Sequence, residues 1–126
     1  MRGPILVADD NPANLHLVLY LLNAFGLEAQ GVSDGAAAYE AAKSKRFALV
    51  LTDILMPKMD GYELLARMKG DPQLASIPVI AITALAMVGD RERIAAAGFD
   101  GYIPKPLEPR TFVTEIEHFL TPSTEG

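Results

Sequence analysis

Short apolar runs alternate with longer segments of helical pattern along this chain, and this alternation constrains the fold more than any other feature. The five runs stand at 5–8, 28–32, 47–52, 77–83 and 101–103. The first, third and fourth are apolar on both faces, which is typical of parallel strands covered by helices on both sides. Alternating units of this kind predict an α/β fold, a doubly wound parallel sheet of five strands with right-handed connections.

The segments between the runs carry signals for helix ends. Asn11 before Pro12 predicts the start of the first helix, and Gly26 predicts its end. The fifth helix is predicted from about Pro109 to Leu120, where apolar residues recur at helical spacing. Asp34 and Asp90 are predicted to cap the second and fourth helices. The third helix is predicted to run from about Asp60 to Lys69.

Length and composition exclude several classes of protein. The 126 residues fit one domain, with an expected core at about 5–120 and a frayed tail at 121–126. The net charge of −5 argues against direct nucleic-acid binding, which needs a basic face. No apolar run reaches the roughly 18 residues of a membrane span, and the N-terminal MRGP is unlike a signal peptide. With no cysteine for disulfides or thiolate sites, the chain is predicted to be cytoplasmic.

Polar side chains stand at the carboxyl ends of four predicted strands: Asp9 with Asp10, Asp53, Thr83 and Lys105. In a doubly wound sheet such ends meet at one edge, and ligands bind there. Each residue alone has an ordinary structural explanation as a helix cap, a strand end or a solvated loop lysine. Their coincidence at one edge favours a functional site.

The chemistry of these groups indicates phosphoryl transfer. Two carboxylates about 5 Å apart repel by roughly 3 kcal/mol at an effective dielectric constant near 20, so the cluster needs a proton or a cation. Oxygen ligands without histidine or cysteine suit Mg²⁺. A carboxylate beside Mg²⁺ can attack phosphorus, and the Thr83 hydroxyl, the Lys105 ammonium group and backbone N–H groups can then donate to the phosphoryl oxygens. The sequence therefore predicts Asp53 as a phosphate acceptor.

Four segments match one family in order and at the expected intervals: VADDN, LVLTDILMPKMDG, VIAITA and GYIPKP. Through them the chain resembles the receiver domains of two-component response regulators over about 5–120. The resemblance implies a flavodoxin-like fold with strand order 2-1-3-4-5. It also implies that a histidine kinase or histidine phosphotransfer protein phosphorylates Asp53. Such a domain is a phosphoacceptor that signals through protein contacts, and it is not a turnover enzyme.

The resemblance further implies how the acidic residues share a metal ion. Asp10 would bind Mg²⁺ directly, and Asp9 would help to hold it, partly through water. Asp53 would also contact the metal, together with the backbone carbonyl of Leu55.

Residues at the ends of the last two strands would bind the phosphoryl group on Asp53 and change position in response to it. Thr83 would hydrogen-bond to it, and Lys105 would pair with it beside a cis peptide bond to Pro106. Tyr102 matches the aromatic switch position of the family, although half-buried packing is an alternative explanation. Residues 90–120 match the face through which the family contacts downstream proteins.

Leucine stands at two positions near the acceptor, Leu55 and Leu85, where faster-hydrolysing relatives carry a polar side chain that orients water. A drier site predicts a long-lived aspartyl phosphate, or one removed by a phosphatase or by reverse transfer.

The first helix is apolar around much of its circumference. Its predicted core stripe is Leu15, Val18, Leu19 and Leu22. Two interpretations remain open for Leu17, Tyr20 and Leu21, which are either half-exposed or part of a docking surface for a phosphotransfer partner.

Rival functions remain at this point. A binding module that needs no phosphate would not require the complete set of polar residues at the strand ends. A Mg²⁺-dependent phosphatase usually carries a second acid two residues after its nucleophile, where this chain has Leu55. A flavodoxin-like redox protein needs a phosphate loop, which DDNPAN does not resemble. The sequence also leaves open whether the receiver stands alone or comes from a hybrid histidine kinase.

Overall fold

The computed structural model describes residues 4–56, 58–84, 88–105 and 107–120. In these residues, one parallel sheet has the strand order β2-β1-β3-β4-β5, which confirms the predicted α/β topology. The strands are β1 (Ile5–Ala8), β2 (Ala29–Val32), β3 (Leu49–Thr52), β4 (Val79–Thr83) and β5 (Gly101–Pro104). The helices are α1 (Pro12–Ala24), α2 (Gly35–Ser44), α3 (Gly61–Lys69), α4 (Val88–Ala97) and α5 (Pro109–Leu120). None of these helices is long and apolar enough to cross a membrane.

Apolar clusters cover both faces of the sheet. On one face the strands pack against α2, α3 and α4 through residues such as Leu64 and Ile94. On the other they pack against α1 and α5 through residues such as Leu22 and Phe112. Successive residues of β3 alternate between the two clusters, which explains why its run is apolar throughout. The carboxyl ends of the strands are left uncovered by this arrangement, and the polar residues lie there.

Helices α1, α2 and α3 start within one residue of the predicted positions, whereas α4 does not. The side-chain oxygens of Asn11, Asp34 and Asp60 accept backbone N–H bonds from the first turns of α1, α2 and α3, at 2.9, 2.7 and 2.9 Å. The prediction that Asp90 caps the fourth helix was wrong, because α4 begins at Val88. Asp90 lies in the first turn, where its charge complements the positive end of the helix dipole. Acidic residues favour both positions, so the sequence alone did not separate them.

Glycines follow two of the helices and adopt a left-handed backbone, and one of them is Gly26, which was predicted to end the first helix. Gly26 after α1 has a φ of 80°, and Gly98 after α4 has a φ of 110°. Residues with a Cβ rarely adopt this conformation, so the chain turns out of each helix there at little energetic cost.

Helix α1 buries a slightly different arc than its sequence predicts. Val18 and Leu22 are buried as predicted, but Leu21 is buried as well, so neither interpretation offered for it was right. Leu19 is only half-buried and packs against the edge strand β2. A Cβ added to Gly31 of that strand would lie 2.9 Å from Leu19 Cδ1. The glycine therefore allows α1 to pack closely against β2. The most deeply buried residues of α1 are therefore Val18 and Leu22, with Leu21 beside them.

Candidate functional site

The carboxyl ends of β1 and β3 bring together the three aspartates identified in the sequence. Asp9, Asp10 and Asp53 each place one carboxylate oxygen within 4.8 Å of the others. Asp9 and Asp53 are buried, whereas Asp10 is exposed. This donor set, which contains oxygen but neither nitrogen nor sulfur, fits a hard divalent cation such as Mg²⁺.

A cation from the protein itself lies among these acids. Lys105 Nζ is 2.9 Å from Asp53 Oδ2 and 3.2 Å from Asp9 Oδ2. Lys105 reaches the site from the loop after β5, and its backbone N–H donates to the Thr83 carbonyl at 2.9 Å, which ties this loop to β4. The side chain of Lys105 is largely buried, so the ammonium group and the two carboxylates compensate one another away from bulk water.

The electrostatics of the cluster follow from burial and from these contacts. Burial is the main cause of the raised pKa of Asp9, and the charge of Asp53 raises it further. The hydrogen bond from the Asn11 N–H and the contact with Lys105 lower this pKa, but they do not outweigh the other two causes. Burial alone would lower the pKa of Lys105, but hydrogen bonds and charges from Asp53 and Asp9 outweigh it and raise this pKa. Lys105 is therefore held in its ammonium form.

Backbone groups orient two of the carboxylates. Asp9 Oδ1 accepts a hydrogen bond from the Asn11 N–H at 2.9 Å, a structural role that the sequence had not indicated. Asp53 Oδ1 accepts from the Leu55 N–H at 3.3 Å. Each of the two buried aspartates thus has one oxygen on a backbone N–H and the other on Lys105 Nζ.

Thr83 and Tyr102 lie on the neighbouring strands β4 and β5. Thr83 ends β4 and is fully buried. Tyr102 of β5 is half-buried and packs against the apolar cluster beneath α2, α3 and α4. Its partner in the sheet is Ala81, two residues before Thr83, so Tyr102 and Thr83 lie on the same face. Ala84, which follows Thr83, is exposed.

Two predicted features lie outside the residues that the structure describes. One is the peptide bond between Lys105 and Pro106, and the other is the side chain of Leu85.

An open cleft of about 450 Å³ lies beside the carboxylates, lined by Asp10, Leu55, Met56 and Asp60. Leu55 is 60% exposed and contributes an apolar wall. Asp60 had been predicted only as the start of the third helix, and no pattern in the sequence indicated that it lines a cleft with Asp10 and Leu55.

The fold and the acidic edge of the sheet are those of a receiver. Residues 5–117 match the response regulator receiver domain family, and the chain belongs to this family of two-component signalling proteins. Among its relatives is the polar-differentiation response regulator DivK of Brucella anthropi, which is 38% identical over 120 residues. The match covers 95% of this chain and 98% of DivK.

Solved receiver structures superpose closely on this chain. The receiver domain of a signal transduction histidine kinase from Syntrophus aciditrophicus is 31% identical, with a TM-score of 0.88, covering 98% of this chain and 94% of that one. The receiver domain of a sensor histidine kinase from Pseudomonas aeruginosa is 29% identical, with a TM-score of 0.87, covering 95% of this chain and 98% of that one. That structure has a magnesium ion coordinated in its active site cleft.

Proposed function

We propose that this receiver accepts a phosphoryl group on Asp53 from the phosphohistidine of a histidine kinase or histidine phosphotransfer protein. The observation that carries the proposal is the surroundings of Asp53, a buried carboxylate bonded to Lys105 Nζ at 2.9 Å and within 4.8 Å of two further carboxylates. Few structural roles require so much charge at a strand end. The domain acts as a phosphoacceptor and not as a turnover enzyme, in the cytoplasm, with a core at about 5–120.

The chain's own residues supply the acceptor and the donors. Asp9, Asp10, Asp53 and the Leu55 carbonyl would hold Mg²⁺, which when bound neutralises the carboxylates and withdraws charge from the phosphoryl oxygens. An oxygen of Asp53 forms the new bond to phosphorus as the bond to the histidine nitrogen breaks. Lys105, freed from Asp53 Oδ2, then donates to the phosphoryl oxygens.

The signal leaves the site through β4 and β5. The Thr83 hydroxyl donates to the phosphoryl group, and Tyr102 follows it inward across the same face of the sheet. The half-burial of Tyr102 and the small size of its neighbour Ala81 support this movement. The surface formed by about 90–120 thereby changes its affinity for a downstream protein.

Helix α1 is the proposed docking surface for the phosphodonor protein. Leu17 is 39% exposed and Tyr20 is 68% exposed, and residues three apart share one face of a helix. The first turn of α1 follows Asp9 and Asp10 directly, so a partner on this face lies beside the cleft. Aromatic side chains are enriched in such interfaces, and Tyr20 supplies one on this face.

Intact mass spectrometry tests the central proposal. The protein is incubated with Mg²⁺ and either acetyl phosphate or a phosphorylated histidine phosphotransfer domain. We expect one phosphoryl adduct that is absent from Asp53→Asn and from samples with a chelator. No adduct from either donor in folded protein would overturn the proposal and leave a phosphorylation-independent binding module.

A further inference from the structure

We propose that Thr52 is a positioning residue for the acceptor, because its hydroxyl fixes the main-chain carbonyl of Asp53 and through it the direction of the Asp53 carboxylate. Thr52 is fully buried, and its Oγ1 donates to Asp53 O at 2.9 Å. The inference rests on the proposed role of Asp53 and adds to it a residue from the interior of the sheet.

The hydroxyl of Thr52 is unusual for its location. Among the described residues, the buried polar or charged ones are Asp9, Thr52, Asp53 and Thr83. The other three belong to the proposed site, whereas Thr52 ends a strand within the apolar core. Valine has nearly the same shape and would avoid the energetic cost of burying a hydroxyl. The hydrogen bond to Asp53 O is the one specific contact that threonine adds there.

A second group restrains the same carbonyl from the side of α3. A Cβ added to Gly61 would lie 2.5 Å from Asp53 O and 2.9 Å from Ile54 Cα, so the start of α3 is pressed against this peptide group. The Gly61 N–H also donates to Ile54 O at 2.8 Å. The peptide group between Asp53 and Ile54 is thus held by the Thr52 hydroxyl and by the first residue of α3.

The neighbours of Thr52 in the sheet make this arrangement possible. Its register partners are Ala8 on β1 and Ala81 on β4, and both belong to the same buried cluster beneath α2, α3 and α4. Paired residues of parallel strands point to the same face. Small side chains on both sides of Thr52 leave room for α3 to approach the end of β3.

The peptide group between Asp53 and Ile54 lies next to the hydrogen bond that orients the Asp53 carboxylate. Asp53 Oδ1 accepts from the Leu55 N–H at 3.3 Å. This N–H belongs to the next peptide group, which is linked to the first at Ile54 Cα and whose carbonyl, Ile54 O, accepts from the Gly61 N–H. Because peptide groups are planar, a rotation of the one after Asp53 would move the Leu55 N–H relative to the carboxylate. Small misplacements of a reacting group reduce rates strongly. Loss of the Thr52 hydroxyl should therefore misdirect the acceptor without unfolding the protein.

The test compares Thr52→Val, which lacks the hydroxyl, with Thr52→Ser, which retains it. Val50→Ala serves as the control, because Val50 is a buried residue on the same face of β3, two residues further from the acceptor than Thr52. Two quantities are measured. The first is the rate of adduct formation at saturating Mg²⁺ and acetyl phosphate. The second is the amide resonance of Leu55 in metal-free, unphosphorylated protein.

We expect phosphorylation to slow about tenfold in Thr52→Val and to stay within about twofold of wild type in Thr52→Ser. The Leu55 amide resonance should shift in Thr52→Val alone. Val50→Ala should keep the wild-type rate and resonance while unfolding more readily.

Two results would overturn the inference: a wild-type rate in Thr52→Val, or a slow rate with an unchanged Leu55 resonance. A wild-type protein that forms no adduct contradicts the proposed function instead. In that case the Leu55 resonance still decides whether Thr52 orients Asp53.

Discussion

Lys105 Nζ lies 2.9 Å from Asp53 Oδ2, so the cation expected to pair with a phosphoryl group already pairs with the carboxylate that would receive it. The same ammonium group reaches Asp9 Oδ2 at 3.2 Å and reduces the repulsion between the two acids. Lys105 therefore has a structural role before phosphorylation and a proposed catalytic role afterwards.

Replacing Lys105 by methionine should lower the free energy of unfolding by about 1–3 kcal/mol, because two buried carboxylates lose their charged partner. Mg²⁺ should stabilise this variant more than wild type, since the competing cation is gone. Urea unfolding with and without Mg²⁺ measures both effects. Lys43→Met, which removes an exposed pair with Glu40, is the control and should cost about 0–1 kcal/mol. Equal losses in the two variants would contradict the role given to Lys105.

Replacing Leu55 by asparagine should speed hydrolysis of the aspartyl phosphate about tenfold, because an amide at the cleft wall can orient an attacking water. Leu55 is 60% exposed beside the acidic cluster, so the substitution should not disturb the core. The half-life of the mass adduct after removal of the donor is the measurement. Tyr20→Asn, at a similarly exposed position on α1, should leave the half-life unchanged. A Leu55 variant as long-lived as wild type would show that water access is controlled elsewhere.

Replacing Leu17 by aspartate should slow transfer from a histidine phosphotransfer protein about tenfold, because a charge enters an apolar contact surface. Phosphorylation by acetyl phosphate should not change, since this small donor needs no docking surface. Ala66→Asp on α3, another exposed helix position, is the control for added charge. Unchanged transfer in the Leu17 variant would support the other interpretation, that Leu17 is simply half-exposed.

Replacing Gly61 by alanine should destabilise the protein by about 1–3 kcal/mol, because the new Cβ would lie 2.5 Å from Asp53 O. Gly89→Ala is a matched control within α4, where an added Cβ meets nothing within 4 Å. That variant should be as stable as wild type or more stable by up to about 1 kcal/mol, since alanine favours the helix. Thermal unfolding compares the two. A Gly61 variant as stable as the Gly89 variant would contradict the close approach of α3 to the acceptor strand.

Local patterns predicted most of the elements correctly. The first strand and the fifth helix have the predicted bounds, and the caps predicted at Asn11 and Asp34 are confirmed, because capping depends on residues within one turn. The errors arose where two positions share a preference. Asp90 lies in a first turn rather than at a cap, and Leu21 packs into the same buried cluster as Val18 and Leu22.

The sequence by itself determined the parallel sheet, the helices between its strands and the aspartates at its edge, because periodicity and short-range hydrogen bonds are written in neighbouring residues. Only the tertiary structure decided that Lys105 pairs with Asp9, which is 96 residues away, and that Gly61 is pressed against Asp53. The hydrogen bond from Thr52 to Asp53 is local, yet its position beneath α3 also depends on packing. Such contacts depend on how helices settle on the sheet, which no local pattern contains.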